Sequence, residues 1–297
     1  MRKGIALLIT LLFIMLITIS IGIGLKQVNQ ASTYTKSEKF LYQSSMILDN
    51  VLTILKTSKE LENINSSSEL DMFLSQSSLI PFEVQGIKVR VNISSARSKF
   101  NINTLVDANH KTNMQIIEPF KQYMSNQMIN TGYVDILLSS MGINQDNISY
   151  ISDLFDKKPN LFREYITSQK HLYELNDFYK SYYHDDNLKN IDFEKLFSYS
   201  NDKNYKIDLS FATPEVWELM LECDKQRAID LSSNIYESQD DIDLSAEEKK
   251  MLSRFAKSTF EHFLDVHLNI SQNNQNAHIK FEYDIENKKG FNFVYEI

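Results

Sequence analysis

The chain has a single cysteine, Cys223, so no disulfide can form within it. Only seven glycines and four prolines are spread over its 297 residues. Glycine this scarce argues against loops that cradle phosphates through bare backbone, and no G-x-G-x-x-G, P-loop or G-x-S-x-G occurs. Positive charge is not in excess. The net charge is -8, so the composition gives no support to nucleic acid as a partner. The six histidines never form H-E-x-x-H, and His262 and His267, five apart, do not share a helix face, so no zinc site is expected. Cys223 sits in WELMLECDK with no histidine close in sequence and reads as core packing rather than a nucleophile. The acidic run Asp240, Asp241 and Asp243 lacks the glycine of an EF-hand loop and reads as a solvated loop.

One long apolar run is present. The chain opens MRKGIALLITLLFIMLITISIGIGLK, and no charge appears from Ile5 to Leu25. That is about 21 residues, the length that spans a bilayer core as a helix. A cleaved export signal has a shorter apolar region, and Ala31-Ser32 makes a poor cleavage site. An uncleaved helix is expected, with Arg2 and Lys3 holding the N-terminus in the cytoplasm. Everything after Lys26 then lies across the membrane. Beyond Lys26, Val28, Ala31, Ser32, Phe40, Leu41, Ile47, Leu48, Val51, Leu52 and Leu55 recur three or four apart, the stripe of an amphipathic helix. One continuous helix of about 50 residues is predicted, apolar all round at first and one-sided later.

Ile64 to Ser78, rich in Ser, Asn and Glu, reads as a connector. Alternation from Ile87 to Ile93 predicts a strand, and Phe100 and Ile102 a second, as a meander beside the long helix. From Ile116 to Tyr199 the spacing turns helical, with Gly142 as a helix stop and a short helix through Leu154 and Phe155 before Pro159. Strand character returns at Ile207, Leu209 and Phe211, followed by a helix capped by Thr213 with Pro214 at its first position. Ser245 and Glu248 form a capping box for a helix whose apolar face is Met251, Leu252, Phe255, Phe260, Phe263 and Leu264. Two alternating strands around Asn287-Lys288-Lys289-Gly290 close the chain as a hairpin.

A basic leader ending in glycine, followed at once by an apolar helix with an amphipathic continuation, resembles the type IV pilin and pseudopilin class. The resemblance implies cleavage between Gly4 and Ile5 by the prepilin peptidase and N-methylation of Ile5. Most members carry Glu at the fifth mature position, where this chain has Ile9. A carboxylate in hydrocarbon needs a partner, in this class the N-terminal amine of the neighbouring subunit. A subunit lacking it cannot pair with a subunit ahead of it but can receive the pairing from behind, which suits a tip position.

The whole chain resembles the K-type minor pseudopilin of the type II secretion system. KFNINTL (Lys99–Leu105) is similar to that family's R-F-N-L-N-x-L, and KIDLSFATPEVWELM (Lys206–Met220) to its I-N-V-N-T-A-P-x-x-V-L-x-A-L segment. Asp153-Leu154-Phe155-Asp156 and Leu172-Tyr173-Glu174-Leu175 match its D-W-I-D-x-D and L-x-E-L stretches. In that family calcium binds in this region, which implies Asp153 and Asp156 as ligands. The third acidic position is Lys158, which puts a cation where an oxygen is needed; two solvated carboxylates at helix spacing is the other reading.

The resemblance implies an α+β fold: a pilin-like long N-terminal helix packed on an antiparallel sheet, interrupted by a large all-helical insert. The expected division is a leader at 1–4, a transmembrane and assembly helix at 5–25, pilin-like parts at 26–105 and 206–297, and the inserted helical domain at 106–205. The implied function is non-enzymatic: capping and helping to initiate the periplasmic pseudopilus. Its partners would be the I-type and J-type minor pseudopilins, the major pseudopilin, the prepilin peptidase and the inner-membrane assembly platform. The chain would cross the bacterial inner membrane once, with its globular part in the periplasm. A minor pilin of a type IV pilus or competence system, or a membrane-anchored periplasmic binding protein or enzyme, are the alternatives.

Overall fold

Apolar residues three and four apart turn one face of the helix at 37–57 into a core, where Phe40, Ile47, Leu48, Val51 and Leu55 are buried. The computed structural model describes residues 37–77, 79–84, 86–143, 154–156 and 158–296. The predicted long helix is therefore seen only from residue 37 onward, and its apolar half, with the start of the amphipathic half through Val28, Ala31 and Ser32, lies outside the described residues. Ser58 ends it, its hydroxyl accepting from the Leu61 N–H to cap a short helix at Lys59–Glu62.

Seven strands are found among the described residues: β1 (Leu79–Val84), β2 (Ile87–Ser95), β3 (Phe100–Asn101), β4 (Phe197–Ser198), β5 (Phe263–Gln272), β6 (Gln275–Asp284) and β7 (Lys289–Glu296). Five of them form an antiparallel sheet in the order β1-β2-β5-β6-β7. Along β2, Ile87, Val89, Val91 and Ile93 point inward and the residues between them outward, the period of a sheet with one dry face. Leu264, Val266, Leu268 and Ile270 on β5 and Ala277, Ile279, Phe281 and Tyr283 on β6 complete that face against the helix. The β6–β7 turn is tied to the helical layer by an ion pair between Lys288 and Glu62. Gly290 then lets β7 approach closely: a Cβ there would lie 2.8 Å from the Phe293 ring and 2.9 Å from Leu52.

The chain leaves the sheet at Ser95 and re-enters it at Phe263, and Ser95 is paired with Leu264 across β2 and β5. Phe100 through Ala256 builds a second core from helices at Met114–Asn126, Gly132–Ser140, Gln169–Tyr183, Pro214–Leu221, Lys225–Ser232 and Ala246–Leu252. The fold is α+β, with a helix-backed antiparallel sheet and a helical block hung between two neighbouring strands.

Several local expectations hold. Gly142 follows the helix at Gly132–Ser140 with φ +83. Thr213 caps Pro214–Leu221, Ser245 and Glu248 form a capping box, and β6 and β7 form the closing hairpin. Four others are corrected. Ser67–Ser77 is a helix, not a connector, because Leu70 and Leu74, four apart, bury one side of a polar segment. Phe100–Asn101 does not extend the meander. It pairs in parallel with Phe197–Ser198, and Ile102–Leu105 is a 3-10 turn. Ile207, Leu209 and Phe211 lie in irregular backbone, where Asp208 and Ser210 N–H groups bond to Arg97 and Thr259 carbonyls outside any ladder. The helix after Ser245 ends at Leu252, and Phe263 and Leu264 begin β5, where the alternation Leu264-Val266-Leu268-Ile270 decides for a strand.

Candidate functional site

The joint between sheet and helical block is where the polar chemistry is densest. Arg97, just past β2, has a fully buried side chain. Its Nη1 donates to Glu282 Oε2 on β6 at 2.6 Å, and its Nη2 lies 3.3 Å from Asp202 Oδ2. The Tyr205 and Phe263 rings flank the guanidinium at 4.2 and 4.1 Å. Asn292 Nδ2 bonds both Glu282 Oε1 at 2.8 Å and Ser200 Oγ at 2.9 Å. Asn292 can reach both because β7 is irregular there, with Asn292 at φ +53. A buried cation is thereby matched to carboxylates drawn from both halves of the molecule.

Asp208 completes the joint. Its N–H bonds the Arg97 carbonyl at 2.8 Å and its Oδ2 accepts from Ser95 Oγ at 3.0 Å, while Oδ1 is buried without a partner. Burial pushes this carboxyl well above the usual carboxylate range. The two asparagines of KFNINTL work in the same region. Asn101 Nδ2 donates to the Ser200 carbonyl, and Asn103 bonds Ile166 through both its amide oxygen and nitrogen. These side chains satisfy buried loop backbone. They form a clamp that fixes one layer to the other, with no nucleophile–base pair among them.

Of the residues singled out from sequence, Gly4, Ile5, Ile9 and Asp153 lie outside the described residues. Asp156 is exposed at the end of a helical turn at 154–156, and Lys158 Nζ lies 3.2 Å from Glu174 Oε2. Among the described residues no group of three or more His, Cys, Asp or Glu could hold a metal ion, and no helix is long and apolar enough to cross a membrane. Cys223 is half-buried against the helical core, its thiol pushed up by burial. His267 bonds Asp265 at 3.0 Å and His278 bonds Asn269 at 2.7 Å on the outer sheet face. Sequence reasoning missed the clamp. Its only signal was an arginine in a run of small polar residues, SSARSKF, at the end of a strand.

Apolar residues remain outside the two cores. Tyr42, Met46 and Ile54 are exposed on the helix at 37–57, and Phe293, Val294 and Tyr295 on β7, an edge strand of the sheet.

No family model and no curated protein matches the sequence. The fold is shared with a chain in the crystal structure of the GspK-GspI-GspJ complex from the enterotoxigenic Escherichia coli type 2 secretion system. The TM-score is 0.60 at 12% sequence identity, covering 90% of this chain and 98% of that one.

Proposed function

We propose that this chain is a non-enzymatic, K-type minor pseudopilin of a type II secretion system, which caps the tip of the periplasmic pseudopilus and helps to initiate it. One observation carries the reading: a large helical block hangs between adjacent strands of a sheet backed by the continuation of an apolar N-terminal segment. The shared fold with a chain of the GspK-GspI-GspJ complex supports it over most of both chains.

The parts fit the role on physical grounds. Ile5 to Leu25 is long enough to anchor the chain in lipid and apolar enough to pack among other subunits' helices after extraction. Ile9 in place of a carboxylate leaves nothing to pair with a subunit ahead. The helical block makes a head too bulky to stack along a shaft. In this reading Gly4 and Ile5 are the processing site, the helical insert is the block whose core runs from Phe100 to Ala256 between the pilin-like parts, and Asp153 and Asp156 are solvated carboxylates, with calcium ligation as the alternative. The partners are the I-type and J-type minor pseudopilins, the major pseudopilin, the prepilin peptidase and the assembly platform, at the inner membrane.

Affinity purification of the full chain from its own cells tests this. Recovery of the I-type and J-type minor pseudopilins supports it. Recovery of type IV pilus or competence subunits instead, or of no pilin-like partner, contradicts it.

A further inference from the structure

A small polar cavity of about 40 Å³ opens in the helical block beside the Arg97 clamp, and Tyr205, whose ring flanks the guanidinium, is part of its lining. Its polar lining includes Asn101, Asn113, Lys203, Lys206 and Arg254, and no Asp or Glu lines it. Lys203 Nζ donates to the Asn103 carbonyl at 3.2 Å and Lys206 Nζ to the Arg254 carbonyl at 3.2 Å. Each ammonium has three donors, so two on each are left over. Among the described residues none of these three cations forms an ion pair. Three half-buried positive side chains thus border a polar space whose own lining holds no carboxylate, Asp107 and Glu261 acting on Lys203 and Lys206 from outside it, and this leaves room for an anion. On the scale of about 10–15 Å³ for one water, the space admits about three non-hydrogen atoms, the size of a carboxylate.

We propose that this cavity binds a carboxylate, held between Lys203, Lys206 and Arg254. Burial lowers the basicity of both lysines; Asp107 opposes this at Lys203, while at Lys206 Lys257 adds to it and Glu261 opposes it. A bound anion reverses that cost. The carboxylate comes either from a free small acid or from an acidic side chain of another protein.

The test uses the full chain in detergent micelles, with thermal unfolding followed by the fluorescence of Trp217, its one tryptophan and a buried residue. Formate, titrated at constant ionic strength against chloride, is expected to raise the melting temperature once its concentration passes the dissociation constant, and from there in proportion to the logarithm of concentration. Lys203→Gln, Lys206→Gln and Arg254→Gln, each made singly, are expected to shift this rise to about tenfold higher formate concentration. Lys88→Gln, on the outer face of the sheet, is expected to leave it unchanged. N-acetylaspartic acid α-amide, whose one carboxylate is that of the side chain, separates the sources: a rise like that with formate marks a site that a protein side chain can enter, and a response to formate alone marks a free small acid. A formate effect equal to that of chloride, or one retained in all three variants, overturns the proposal. A variant without a cooperative transition is replaced by the other two.

Discussion

Arg97 and Glu282 meet at 2.6 Å with both side chains buried, and the contact joins the turn after β2 to β6. Removing the cation strands a carboxylate in a dry place, because among the described residues Glu282 keeps only Asn292 as a partner. Arg97→Met is therefore expected to cost about 3–5 kcal/mol, and Arg97→Met with Glu282→Gln to recover part of that loss. Urea unfolding of the full chain, read by Trp217 fluorescence, checks both. A single variant that loses less than about 1 kcal/mol contradicts the clamp.

Asp208 gives the clamp a pH dependence whose sign is fixed by its surroundings. Burial raises its carboxyl in the folded chain above the unfolded value. The folded state therefore holds that proton more tightly, and its contribution to stability is complete below the unfolded pKa and lost as pH rises through the folded one. At neutral pH the wild type carries a penalty that Asp208→Asn lacks, while the amide oxygen still accepts from Ser95. The variant is expected to melt higher at neutral pH, with the difference closing in acid. Parallel melting curves across pH contradict this.

Gly142 has φ +83 and a Cβ there would lie 3.0 Å from the Arg163 carbonyl oxygen. Gly142→Ala meets both backbone strain and a rigid neighbour, and is expected to destabilise by about 1–3 kcal/mol in the same urea assay. No loss would mean the turn relaxes freely.

Chelation decides between the two readings of Asp153 and Asp156. Asp156 is exposed and Lys158 is engaged with Glu174, which favours solvated carboxylates. EGTA is accordingly expected to leave the melting temperature unchanged. A fall on chelation that Asp156→Asn abolishes assigns calcium to this segment.

Much of the fold was legible where a local rule acts alone. Thr213-Pro214 and Ser245 with Glu248 mark helix starts because capping is a matter of neighbours in sequence. Ile87 to Ile93 read as a strand because one face is dry and the other wet, and the closing hairpin reads from alternation on either side of its Asn287-Lys288-Lys289-Gly290 turn. Errors came where distant packing overrode the local pattern. Ile207, Leu209 and Phe211 alternate like a strand, yet Asp208 between them is claimed by Ser95 and Arg97 from the joint. Phe263 and Leu264 continue a helical spacing, but pairing with β2 and β6 makes them a strand. The clamp itself was illegible, since Arg97, Asp202, Glu282 and Asn292 meet only after both layers form.

The central claim is that the apolar N-terminal segment is an assembly helix, made by cutting after Gly4. Intact-mass and peptide mass spectrometry of the chain, purified from cells that possess the processing peptidase, tests it most directly. The account predicts a mature chain that begins at N-methylated Ile5. A chain that keeps Met1 to Gly4, or one cut near Ala31, contradicts it.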